Sequence, residues 1–278
     1  MRNAWLLLIL WMLVSCGNSK HIQITLPGIT SAELTVTSLE TSRVLLHKNI
    51  KGSEVELGRL EIGAGLEILE LKVHHVHYQN QDSNQFVFEQ DEYFSAIIPS
   101  NYEAGQLNIN SLTTLAACRF QNSISSEKNI NEQVDYENEL IQDQFIVDQL
   151  HGFSPNMDFE NMNVLDHASI YVILLGGMEE LAKNHGTKIS TLTKYLCEDL
   201  IHDGKLNGID AKGFIEERLA NYDEQVLKAK LAIALHDFGQ KNIKSFSKLP
   251  IHALANQISL SLVQVLFPST IVNYSFDQ

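Results

Sequence analysis

Ser111-Leu112-Thr113-Thr114-Leu115-Ala116-Ala117 marks the place where the hydrophobic period of the chain changes from about two towards about 3.6. On its N-terminal side, Ile22-Gln23-Ile24-Thr25-Leu26 alternates apolar and polar residues. So do Ala32 to Val36, Val55-Glu56-Leu57 and Leu69-Glu70-Leu71-Lys72-Val73. Pro27-Gly28, Lys51-Gly52-Ser53 and the polar stretch from Gln79 to Gln85 separate these runs as turns. Short alternating runs at such intervals predict a small antiparallel β-sandwich, Ig-like in kind, over residues 21–110.

On the C-terminal side, Val164, Leu165, Ala168, Tyr171, Val172, Leu175, Met178 and Leu181 form one apolar stripe at helical spacing. They predict a helix of roughly 20 residues. Thr187 or Ser190 can cap the next helix, which buries Ile189, Leu192, Leu196 and Leu200 and stops near Gly204. The pattern continues over 212–221 and 223–238, with Gly239 placed as a C-terminal cap. A last amphipathic stretch, Leu254 to Phe267, ends at Pro268 and leaves residues 269–278 as a strand-like tail. The expected fold class is therefore α+β, with a β-sandwich followed by an all-α helical domain over 111–268.

The N-terminus reads as an export signal. Met1-Arg2-Asn3 carries one positive charge, Leu6 to Val14 contains no polar residue, and Ser15-Cys16-Gly17 supplies small residues at a cut. The apolar run is about half of the roughly 20 residues that a membrane-spanning helix needs. Leu13-Val14-Ser15-Cys16 resembles the bacterial lipobox, in which the cysteine is acylated and becomes the mature N-terminus. That resemblance implies a signal peptide over 1–15, a lipidated Cys16 and a tether over 16–20. One fatty chain binds a membrane only marginally, whereas two or three anchor stably. Under the enterobacterial sorting rule, Gly17 after the cysteine, where Asp would retain the protein at the inner membrane, directs it to the outer membrane.

Removing residues 1–15 leaves 263 of the 278, enough for one large domain or two small ones. A hydrophobic fraction of 44% is ample for a packed core. Loss of Arg2 takes the formal charge from −14 to −15, which disfavours nucleic acid and anionic headgroups as partners. It also serves to keep an exported protein soluble. Of the three cysteines, Cys118 and Cys197 remain once Cys16 is set aside. In an oxidising compartment they are either a disulfide pair or two separate buried thiols.

With both halves placed, the chain resembles bacterial surface lipoproteins that join a transthyretin-like or carboxypeptidase-regulatory-like sandwich to a helical domain. Three stretches carry the likeness: Gly28 to Val36 followed by Ile50 to Val55, the Thr113-Thr114-Leu115-Ala116 junction, and the Asp203-Gly204-Lys205-Leu206-Asn207-Gly208 turn. The resemblance implies an exported binding or structural module, anchored to a membrane through its N-terminal lipid and facing an envelope or extracellular ligand, without a cofactor.

Three groups of residues have spacings that bear on chemistry. Asp203, Lys205, Asn207 and Gly208 occupy positions one, three, five and six of an EF-hand-like loop. Lys205 puts a positive charge where an oxygen is needed, and Phe214 stands at position twelve where a Glu belongs, so the stretch reads as a turn. His75 and His77, two apart on a strand beside His74, would share a face and could share a transition metal. No third ligand is evident, and they read as surface histidines. Glu127 to Asp148 reads as a solvated helix face carrying Leu140, Ile141, Phe145 and Ile146 at helical spacing. Nucleophile elbows, zinc helices, phosphate loops and dinucleotide fingerprints are absent from the sequence. The expectation is a non-enzymatic protein with no catalytic or metal residues. The rival readings are an enzyme acting on envelope polymers and a periplasmic assembly or chaperone partner.

Overall fold

The computed structural model describes residues 22–26, 29–57, 68–79, 85–87, 92–99, 102, 105–123, 129–145, 147–153, 155, 167–203, 209–210, 213–214 and 224–243. Cys16 and the leader, Val164 and Leu165, Lys205, Asn207 and Gly208, Leu254 to Phe267 and the tail lie outside them. The described chain is mixed α+β, with strands first and helices after.

Strands β1 (Ile22–Thr25), β4 (Glu54–Leu57) and β8 (Gln106–Asn108) form a three-stranded sheet in the order β4-β1-β8. Strands β2 (Ile29–Ser38), β3 (Arg43–Lys51), β5 (Ile68–Gln79), β6 (Gln85–Val87) and β7 (Phe94–Pro99) form a five-stranded sheet. In that sheet β5 pairs β7 along its first half and β6 at its far end. The pairing departs from the all-antiparallel expectation at one place, because β8 runs parallel to β1. A parallel neighbour needs a long crossover, and here the chain builds the whole five-stranded sheet between the two.

Ile22, Ile24, Leu57 and Leu107 from the smaller sheet meet Leu34, Val36, Leu71, Val73 and Ile98 from the larger in one apolar core. Alternation explains this: the inward residues of β2 are Ala32, Leu34 and Val36, and their neighbours face outwards. In β5 the phase slips. Leu71 and Val73 point inwards, His75 takes a left-handed backbone (φ 48°) where the register with β2 shifts, and Val76 resumes the inward series.

The larger sheet is covered on its other face by helices. Ile68 of β5 and Ile97 of β7 pack with Ala117 and Phe120 of α1 (Ser111–Ser123) and Val134 of α2 (Ile130–Phe145). β7 is therefore buried on both sides, which is why its sequence Phe94-Ser95-Ala96-Ile97-Ile98 shows no alternation. The remaining helices, α3 (His167–Asn184), α4 (Ile189–Asp203) and α5 (Glu224–Asn242), complete a second core around Leu112, Tyr171, Leu174, Leu192 and Leu235.

Two local expectations are corrected. Gly213 and Phe214, within the stretch expected to be helical over 212–221, form strand β10, paired antiparallel with β9 (Ile209–Asp210). Glycine is a poor helix former and leaves the backbone free to pair. Gly239 does not end α5, which continues to Asn242, with the Ile243 amide donating to the Gly239 carbonyl at 3.0 Å. Gly239 is buried and lacks the positive φ of a C-terminal cap.

Candidate functional site

The polar seam where strands give way to helices begins at Asn110, the N-cap of α1. Its Oδ1 accepts from the Leu112 amide at 3.0 Å, while its own amide donates to Thr113 Oγ1 at 2.9 Å. This is a reciprocal capping arrangement with Thr in the third helical position. Thr113 Oγ1 also donates to the Ser95 carbonyl at 2.8 Å, and Thr114 Oγ1 accepts from the Ser95 amide at 2.9 Å. The two threonines thus fasten the start of α1 to β7. On its other side Asn110 Nδ2 donates to Tyr171 Oη at 2.9 Å. Tyr171 is fully buried, and that burial pushes its phenol pKa far up, with the Asn110 contact opposing.

Next to this cap, residues Val147 to Phe153 form a strap over the outward side of the smaller sheet. Asn108 of β8, itself completely buried, holds the strap by donating from Nδ2 to the carbonyls of Leu150 at 3.0 Å and Phe153 at 3.3 Å. The Gly152 amide donates to the Gln106 carbonyl, and Gly152 adopts φ 90°, a conformation that favours glycine. Phe153 stands edge-on to His167 (4.4 Å between centroids) and Tyr171 (4.9 Å). Tyr102 stands edge-on to His151 at 6.1 Å.

Beneath and beside the strap lie polar atoms with nothing to bond. Six buried side-chain nitrogen or oxygen atoms among the described residues lack a hydrogen-bond partner, and five of them belong here: Thr25 Oγ1, Asn108 Oδ1, His151 Nδ1 and Nε2, and His167 Nε2. Thr25 and Asn108 are register partners on β1 and β8, so their side chains rise from the same side of the sheet. His151 reaches the surface in part, yet both ring nitrogens are buried. Burial pushes its pKa down to about 4, the Asn108 backbone pulling the other way without reaching ordinary hydrogen-bond geometry. Near neutral pH the His151 ring is therefore uncharged and offers one donor and one acceptor nitrogen. Asp148, highly exposed, places its Oδ2 3.5 Å from His167 Nδ1.

The sequence singles out Thr113 and Thr114 only as a junction and Tyr171 only as part of an apolar stripe; Asn110 was missed, although an Asn directly before a helical run is a capping signal. The histidines that did stand out are dispersed. His74 faces the Tyr93 ring at 5.6 Å, and His75 Nδ1 lies 3.3 Å from Glu33 Oε2. His77 is exposed, its carbonyl accepting from Thr30 Oγ1. His75 and His77 are both exposed on either side of the buried Val76, and the bulge at His75 shifts the register of β5 against β2 there. Among the described residues no three His, Cys, Asp or Glu side chains gather as a metal site.

Of the EF-hand-like stretch, Asp203 ends α4 and Phe214 belongs to β10. The acidic stretch is not solvated throughout, since Glu137 of α2 is 2% exposed and bonds Arg119 Nε at 2.9 Å. Cys118 of α1 and Cys197 of α4 are joined by a disulfide, with their Cα atoms 5.6 Å apart. Both sulfurs lie in the helical core. No family model, curated protein or solved structure matches the chain.

Proposed function

We propose that the chain is a bacterial envelope lipoprotein, acylated on Cys16, delivered to the outer membrane and serving a non-enzymatic binding or structural role. The observation that carries this reading is Leu13-Val14-Ser15-Cys16 behind a charged and then apolar N-terminus. The Cys118–Cys197 disulfide supports it independently. Structural disulfides persist in exported proteins and are rare in reducing compartments, and pairing these two leaves Cys16 as the odd cysteine of three.

In this reading residues 21–110 are an Ig-like or transthyretin-like sandwich, a proposal supported by two sheets sharing one apolar core. The helical part over 111–268 begins with α1, whose first turn is fastened to β7 by the Thr113–Ser95 and Thr114–Ser95 contacts. The partners are the membrane, through the lipid, and an envelope or extracellular ligand.

Metabolic labelling with palmitate in a bacterial host tests the reading. The wild type is expected in the membrane fraction and labelled, and the Cys16→Ser form exported but unlabelled. A wild type without label, or a Cys16→Ser form that keeps it, overturns the assignment.

A further inference from the structure

We propose that the strap Val147–Phe153 covers a binding site for a small, uncharged, hydroxyl-rich ligand, recognised by Thr25, Asn108, His151 and His167. Four observations lead there.

Unsatisfied buried polar atoms are rare in folded proteins, each costing about 1–3 kcal/mol, yet five of the six among the described residues sit in this one seam. They come from separate parts of the chain: β1, β8, the strap and the start of α3. Convergence of four segments on one unsatisfied cluster is what a recognition site requires and what a core avoids.

The chemistry of the atoms selects the ligand class. Asn108 Oδ1 is an acceptor only, Thr25 Oγ1 can donate or accept, and a neutral imidazole offers one donor and one acceptor nitrogen. A carboxylate or phosphate supplies acceptors alone, and an ammonium donors alone. Hydroxyl groups answer both needs. No lysine or arginine is among the residues that supply these atoms, and the adjacent carboxylate of Asp148 points to solvent, 89% exposed. An ion entering here would find no buried lysine, arginine or carboxylate countercharge among the side chains that supply these atoms. The rings of Tyr102 and Phe153 flank the two imidazoles and provide the apolar surface on which the C–H face of a polyol can rest.

Access lies through the strap. Asn108 Nδ2 ties it to the sheet through the Leu150 and Phe153 carbonyls, and the Gly152 amide through the Gln106 carbonyl, while Val147 and Leu150 anchor it in the helical core and Tyr171 Oη donates to the Leu150 carbonyl at 3.4 Å. Displacing the segment around His151 and Gly152 from Asn108 would solvate the unpaired Asn108 Oδ1 and the two His151 nitrogens, so opening is offset by solvation and closure over a ligand by the hydrogen bonds it brings.

The test is a titration of the full chain in detergent, labelled with 15N-histidine and followed through the imidazole nitrogens. D-glucose, D-galactose and N-acetyl-D-glucosamine are the probes. N-methylacetamide, inorganic phosphate and ammonium serve as amide, anionic and cationic controls. At least one sugar is expected to shift the His151 and His167 resonances saturably. Thr25→Val preserves shape and removes only an unpartnered hydroxyl, so it should leave folding intact and weaken that sugar about tenfold, the equivalent of one hydrogen bond. Asn108→Ala is expected to abolish the response. Absence of a saturable shift with all three sugars overturns the proposal, as does a response confined to the amide or to either ion. The readout does not depend on acylation, so failure here and failure of the Cys16 assignment are separate results.

Discussion

Glu92 and Ser190 lie 98 positions apart and are joined by a 2.8 Å hydrogen bond, Ser190 Oγ donating to Glu92 Oε2. Thr191 Oγ1 donates to the other carboxylate oxygen. Ser190 and Thr191 are in the first turn of α4, so a buried carboxylate from the segment before β7 sits at the positive end of that helix. The expected capping of α4 by Thr187 or Ser190 is replaced by this long-range contact. Lys188 occupies the N-cap position, and Ser190 turns its hydroxyl to Glu92 instead of to the backbone.

Glu92→Ala is expected to lower stability by about 2–3 kcal/mol, since it leaves two hydroxyls without their acceptor in a buried place. Glu92→Gln keeps one acceptor oxygen and should cost about half as much. Urea denaturation at unchanged m value measures both. A Glu92→Ala protein as stable as the wild type would show that the contact contributes nothing to joining strands and helices.

How far these relationships can be read in the sequence depends on how local their causes are. β1, β2 and β4 alternate because each has one face on the shared core, and the same pattern gives the first half of β5. β7 carries an apolar run with no period, because α1 covers the side that would otherwise be wet. α1 is hard to read for the same reason, being buried from Ser111 to Cys118 with no polar stripe. The strap cluster is less legible still. Thr25, Asn108, His151 and His167 meet only through tertiary folding, and a lone His-Gly pair within a loop has no period to announce it.

Helices α3 and α5 touch at glycines. A Cβ built on Gly176 would lie 2.2 Å from Cζ of Phe238, and one on Gly177 would lie 2.3 Å from Cδ2 and 3.2 Å from Cα of Leu235. Gly176→Ala should therefore destabilise by about 1–3 kcal/mol through overpacking, and the further change Phe238→Leu should recover part of that loss. Gly177→Ala meets backbone as well, so Leu235→Ala should recover less. Thermal denaturation of the two single and two double variants distinguishes the cases, and equal recovery at both sites would contradict the close approach of the backbones at Gly177.

Acid should weaken the fold through His151. Its pKa falls from an ordinary 6.5 to about 4 in the folded chain because burial disfavours the cation. Between those values the unfolded chain binds a proton that the folded chain does not, so stability falls as pH drops from about 6.5 to about 4 and then levels for this group. The loss is at most about 3 kcal/mol at roughly 1.4 kcal/mol per unit. His74 and His185 are also shifted down, each chiefly by burial, and add in the same direction. His151→Phe should flatten the dependence of the urea midpoint over this window while leaving its value near pH 8 little changed. A variant with the wild-type slope would remove His151 as its cause.

The disulfide between Cys118 and Cys197 closes a span of 79 residues that includes α2 and α3. In the chain-entropy account, closing a loop of that size raises the free energy of the unfolded chain by roughly 4 kcal/mol, with measured cases spread over about 2–5. The Cys118→Ala, Cys197→Ala double variant should therefore unfold at a distinctly lower urea concentration. Because both sulfurs are buried, reductant should act on the native protein only as fast as the helical core opens. Thiol labelling tests the pairing directly. After denaturation without reductant neither cysteine should react, and after reduction both should. Reaction of both before reduction would make them separate thiols, leaving α1 and α4 held together by packing and the 3.0 Å hydrogen bond from Thr193 Oγ1 to Ser111 Oγ, and removing one of the two supports for export.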